Sequence, residues 1–190
     1  MATLPDTLGA GAIELRRARA DHATDLVDAV RSSFVELNRW MPWAQSMPTA
    51  QTLNDDLQRN DAIFDQGGEW QFVMVEPESG AIVGGASLHD RGDGTLEIFY
   101  WVRTDRTRHG YATAAARALT DAAFDHVAGA ERIEIRMDSA NSAGAAIPRR
   151  LGYRLGGEVE RDVRTTGQRG FGYVWSIDRA SWGTDRDRPG

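Results

Sequence analysis

LEIFYWVRTDRTRHGYATAAARAL, residues 96–119, decides the fold. Its first part, Thr95–Arg103 once the preceding residue is included, is apolar and aromatic and reads as a strand. Three arginines follow, Arg103, Arg106 and Arg108, and then Gly110. From Gly110 to about Val127 the apolar positions Ala112, Ala115, Ala116, Leu119, Ala123 and Val127 recur at helical spacing. A strand that runs through a short basic loop into a small-residue helix makes an anion site. Free backbone N–H groups at a helix start attract phosphate, and the helix dipole adds to the attraction. Gly110 lets the backbone come close to a bulky diphosphate, Ala112 and the following alanines allow tight packing, and the arginines screen charge. A plain strand-to-helix turn with solvated arginines is the bland alternative.

Outward from this stretch the chain alternates strands and helices. Ala12–Ala18 (AIELRRA) alternates as a strand, and Asp21 is placed to cap a helix running to about Leu37. NRWMPWAQSMP, from Asn38, breaks that helix, and a second one is expected from about Thr49 to Asp65. Trp70–Val75 and Ala81–Leu88 form a hairpin through EPESG, and RGDG turns the chain into the strand at Thr95. After the central helix come a strand at Arg132–Met137, a short helix at Ser142–Leu151, and strands at Tyr153–Arg161 and Arg169–Ile177. The expected fold class is mixed α/β around one mostly antiparallel sheet, with one parallel pair supplied by the strand–helix–strand unit between Thr95 and Met137. One domain is expected over residues 1–182, with a disordered tail over 183–190.

Composition excludes several chemistries. The chain has 190 residues and no cysteine, so disulfides, thiolate metal ligands and a cysteine nucleophile are absent. All 22 basic residues are arginine, which removes a Schiff-base or P-loop lysine. His22, His89, His109 and His126 show no metal-ligand spacing, so no metal is expected. A net charge of −6 disfavours nucleic-acid binding and suits a cationic acceptor. No apolar run approaches the roughly 20 residues of a membrane span. No signal peptide is visible at the N-terminus, so a cytoplasmic location is expected.

The phosphate loop fits neither GxxxxGK[ST] nor GxGxxG. Thr107-Arg108-His109-Gly110-Tyr111-Ala112 resembles the acetyl-CoA loop [Q/R]xxGx[G/A] of the GNAT (Gcn5-related N-acetyltransferase) superfamily, departing from it at Thr107. Asn141, followed by Gly152-Tyr153, resembles that family's second motif. The stretches at 38–44 (NRWMPWA), 96–102 and 146–162 look like its RimJ/RimL-type branch.

This resemblance implies a GNAT fold with a splayed parallel pair, and an enzyme moving an acetyl group from acetyl-CoA to a primary amine. The acceptor is a protein N-terminus or a small molecule. A non-catalytic acyl-CoA-binding module is the alternative. It implies cofactor contacts at Trp101, Val102 and Arg103 on the splay, at Arg108, His109, Gly110, Tyr111, Ala112 and Thr113 in the loop, and at Asn141, which is equally suited to cap the next helix. Glu97 is the candidate base, with His89 as rival, and Tyr100 at the splay is the second catalytic candidate. Glu36, Asn38, Trp40, Trp43 and His89 are the candidate acceptor contacts. The branch's usual proton donors are replaced by Gly144 and Pro148, which leaves the general acid unassigned. The sequence does not fix the oligomeric state, although the final strands could exchange contacts in a homodimer.

Overall fold

A computed structural model describes residues 3–186. Eight strands form one sheet: β1 (Thr7–Ala10), β2 (Ile13–Arg17), β3 (Glu69–Val75), β4 (Ile82–Asp90), β5 (Thr95–Val102), β6 (Arg132–Asp138), β7 (Arg154–Glu160) and β8 (Phe171–Asp178). Their order across the sheet is β1-β2-β3-β4-β5-β6-β8-β7, and β5–β6 is the parallel pair. Six helices complete the order: α1 (Ala23–Ser32), α2 (Phe34–Trp40), α3 (Ala50–Phe64), α4 (Tyr111–His126), α5 (Ser142–Arg150) and α6 (Arg179–Arg186).

Alternation along the strands divides the core. Leu96, Ile98, Ile133, Ile135, Trp175 and Ile177 bury one face against α4 and α5, with Trp182 of α6 beside them. Ala23 and Ala29 of α1 and Leu57 of α3 cover part of the opposite face, against Val73, Val75 and Ile82. Beyond those helices the same face carries Glu97, Glu134 and Asp138, all buried.

Two expectations are corrected. Asp21 caps nothing: it lies in a 3₁₀ turn, Ala20–His22, where His22 Nδ1 accepts the Arg19 N–H at 3.1 Å. The single helix expected to Leu37 is two, because the buried Ser33 interrupts it and its hydroxyl accepts the Thr104 N–H at 2.9 Å. The strand β1, paired to β2, was not foreseen. Helix α6 occupies the start of the expected tail, and residues 187–190 lie outside the described residues. By contrast α3 begins and ends as its sequence suggests, with Thr49 capping the Thr52 N–H at 3.1 Å.

Candidate active site

The parallel pairing of β5 with β6 covers only Thr95–Ile98 against Arg132–Ile135. Past those residues β5 follows β4 to Val102, while β6 follows β8 to Asp138. The sheet therefore opens into a V after Ile98. N–H direction alternates along an antiparallel strand. Arg103 donates its N–H to Val83 O at 2.8 Å, which fixes the phase. Trp101 and Arg103 thus spend their amides on β4, and only Tyr100 and Val102 aim theirs into the gap. Of the three splay residues expected to contact a cofactor, Val102 turns its amide to the gap, while Trp101 and Arg103 turn theirs to β4. Their side chains are engaged as well: Arg103 holds Asp105 at 2.9 Å, and the Trp101 indole lies on Gly85, where a Cβ would sit 2.7 Å from Nε1.

The loop at the foot of the V has the form read from its sequence. Arg108 and Gly110 adopt positive φ, 66° and 81°, and no side chain caps the helix that follows. The first intrahelical bond is Ala114 N–H to Gly110 O, at 2.9 Å. The amides of Tyr111, Ala112 and Thr113 consequently have no acceptor within α4 and sit at the positive end of its dipole. Arg108 has no ion pair with the described residues. These groups fit a diphosphate.

The loop is braced by Glu76, which the sequence reading missed. Its carboxylate accepts from Tyr111 Oη at 2.7 Å and from Ser79 Oγ at 3.0 Å, and Arg106 lies 3.4 Å away. Chiefly through the Tyr111 bond, and aided by Ser79 and Arg106, its pKa lies below the usual carboxylate value. His109 donates Nδ1–H to Thr107 O at 2.9 Å and stacks on Tyr111.

Asn141 is the N-cap of α5: Oδ1 accepts the Gly144 N–H at 2.9 Å, and Nδ2 has no partner among the described residues. Tyr100 projects to the same turn, with Oη 3.4 Å from Gly144 O, and burial pushes its hydroxyl pKa upward. Tyr153 is buried and donates its hydroxyl to Thr120 Oγ1 at 2.6 Å, which makes it a core residue.

Across β5 lies a cavity of about 430 Å³, lined by Arg91, Glu97, Phe99, Arg136, Arg161 and Val174 among others. Glu97 is 6% exposed; Oε2 accepts from Arg91 Nε at 2.7 Å, and Oε1 has no hydrogen bond from the described residues. His89, its cross-strand partner, contacts Ser87 Oγ at 2.8 Å and packs against Phe99. Burial pushes the His89 pKa down, and Arg91 acts in the same direction against Glu69.

A second cavity, of about 510 Å³, is lined by Pro42, Glu160, Arg161, Asp162, Arg164 and Gln168. Glu160 and Arg161 line both, so the two adjoin as one cleft. Its roof is a pair of loops tied together: Thr165 Oγ1 donates to Arg39 O at 2.7 Å, and Gly167 N–H donates to the same carbonyl at 3.0 Å. Trp43 is half exposed and lies 6.1 Å from Trp101. Glu36 and Asn38 shape the loop: Trp40 Nε1 donates to Glu36 at 2.8 Å, and Asn38 Nδ2 donates to Ala44 O at 3.0 Å. Among the described residues no group of three or more His, Cys, Asp or Glu side chains is placed to hold a metal, and no helix is long and apolar enough to cross a membrane.

A strand pair that opens into a V, with an uncapped helix start at its foot and a carboxylate-bearing cleft across the sheet, is the arrangement of an acetyltransferase. Residues 12–154 match the sequence model described as "Acetyltransferase (GNAT) domain", and the chain belongs to the GNAT acetyltransferase family. It is 24% identical over 176 residues to "Putative ribosomal N-acetyltransferase YdaF" of Bacillus subtilis (strain 168), covering 90% of this chain and 93% of that protein. Mycobacterium smegmatis RimJ in complex with CoA-disulfide superposes with a TM-score of 0.82 at 25% identity, over 93% of this chain and 88% of that one. RimL, described as a ribosomal L7/L12 alpha-N-protein acetyltransferase in complex with coenzyme A, gives a TM-score of 0.82 at 18% identity, over 90% of this chain and 97% of that one.

Proposed function

We propose that this enzyme acetylates the N-terminal amine of a protein or peptide, with acetyl-CoA as donor and no acyl-enzyme intermediate. The names of the RimL and YdaF relatives favour a ribosomal protein as acceptor. The cleft favours a chain-like acceptor over a compact one, because its two cavities run into each other through Glu160 and Arg161.

The observation that carries the reading is the end of β5–β6 pairing one residue after Glu97. It sets free amides and a buried carboxylate on one strand, Tyr100 N–H lying roughly 10 Å along the chain from Glu97. Acetyl-CoA supplies an activated acyl carbon and a thiolate leaving group. Arg108 and the amides of Tyr111, Ala112 and Thr113 hold its diphosphate, while Asn141 Nδ2 and the Val102 N–H hold its arm. The Tyr100 N–H stabilises the oxyanion that develops at the acyl oxygen.

Glu97 takes the ammonium proton, directly or through a water, so that the amine lone pair can attack. The tetrahedral intermediate gives up its second amine proton to solvent and collapses, expelling the thiolate, which takes a proton from solvent; the amide product forms, and Glu97 releases its own proton to solvent before the next turnover. The Tyr100 hydroxyl, its pKa raised by burial, keeps its own proton. Trp43, beside Trp101, neighbours Pro42 of the cleft lining, and His89 packs against the lining Phe99 as a neutral neighbour.

Glu97→Gln keeps a hydrogen-bond acceptor for Arg91 but cannot take the proton. Free-thiol release with an N-terminal peptide is expected to fall at least about 100-fold in kcat, with the KM for acetyl-CoA within about twofold of the parent. Unchanged kcat would remove Glu97 from the mechanism.

A further inference from the structure

The chain carries a net charge of −6, yet four guanidinium groups gather on the acceptor cleft: Arg91, Arg136, Arg161 and Arg164. Three are matched by carboxylates. Arg91 holds Glu97 at 2.7 Å, Arg136 holds Glu134 at 2.7 Å, and Arg164 lies 3.8 Å from Asp162. Arg161 has no ion pair or side-chain hydrogen bond with the described residues, and it lines both cavities. Its neighbour Glu160 lines both as well and leaves it unpaired.

Its position is built. The Arg161 stem lies across β8 over Gly172, where a Cβ would stand 2.3 Å from Arg161 Cδ. Any other residue at 172 would lift the guanidinium off the strand. The Arg161 N–H is fixed to Gly170 O at 2.9 Å, so the backbone that carries the stem is held too. An unmatched cation on the floor of a cleft whose other end holds Glu97 is complementary to a molecule with an ammonium at one end and an anion a short way along.

We infer that Arg161 selects acceptors with a carboxylate close to the reacting amine, in the form of an acidic side chain among the first residues of the N-terminal peptide. The inference rests on the reading of this cleft as the acceptor site.

The test is free-thiol release from acetyl-CoA with peptides that differ only at the second and third residues, Glu-Glu, Gln-Gln or Arg-Arg, alongside free glutamate. The acidic peptide should exceed the Gln peptide by about tenfold in kcat/KM, chiefly through KM, with the Arg peptide slowest. Arg161→Gln should bring the acidic and Gln peptides together, and Arg161→Lys should restore part of the difference. Gly172→Ala, which displaces the guanidinium without removing it, should also narrow the ratio. Equal kcat/KM for the Glu and Gln peptides, or a preference that survives Arg161→Gln, overturns the inference while leaving peptide acetylation intact. Preference for free glutamate over every peptide overturns the peptide source of the carboxylate. Acetylation of no peptide at all overturns the acceptor reading itself, and this inference falls with it.

Discussion

His89 and Glu97 face each other across the β4–β5 ladder and differ in how their neighbours treat charge. Burial and Arg91 both oppose a proton on His89, and its pKa lies below the ordinary 6.5. The folded chain therefore binds that proton less readily than the unfolded chain does. The sign follows: His89 takes nothing from stability above about pH 6.5, and stability falls as the pH drops from there toward the folded value. Urea unfolding of His89→Gln at stepped pH should give a flatter acid limb than the parent, and an identical limb would refute this linkage. Both residues were legible in the sequence because each sits at a strand position beside the loop. Glu76 was not, since nothing local marks the carboxylate that braces Tyr111 from 35 residues away. Arg161 was equally hidden: its meaning depends on Gly172 across the β7–β8 ladder and on the absence of a partner, neither of which has a sequence signature.

At the scale of elements, β4 and β5 fit only because two successive residues of β4 lack side chains. A Cβ on Gly84 would lie 2.2 Å from the Trp101 carbonyl oxygen and 3.1 Å from Val102 Cα, both backbone atoms with no easy retreat. Gly84→Ala should cost about 1–3 kcal/mol in urea unfolding. It should also weaken coenzyme A binding by titration, since the atoms displaced belong to the strand end whose Val102 amide faces the V. A fully stable variant would show that the strands separate without penalty. The strands around this point were plain from alternation and turn residues, and α4 from its alanine stripe. The break at Ser33 was not, because the signal that ends α1 is the Thr104 amide, 71 residues away. The 3₁₀ turn at Ala20–His22 misled for a simpler reason: Asp21 is a good capping residue, but it falls inside that turn, and the residue before α1 is His22, whose ring accepts the Arg19 amide instead.

For the molecule as a whole, the eight-stranded sheet is really two: β1 to β5 and β6 to β7, sewn by four residue pairs between β5 and β6. Beyond that seam, main-chain donors on β5 face an opening instead of a neighbouring strand. A molecule that fills the opening with its own acceptors acts as a rung added to an unfinished ladder, and its binding free energy becomes folding free energy. At a hundredfold excess over Kd, coenzyme A should add about 2.7 kcal/mol. In a chain of this size that raises the melting temperature by roughly 5–10 °C. Pantetheine, which lacks the diphosphate, should give a smaller rise, and no rise with either would mean the seam needs no filling. With the expected rise, the cell meets two forms of one protein, a loosely joined apoenzyme and a zipped holoenzyme, and its resistance to proteolysis follows the local supply of acyl donor.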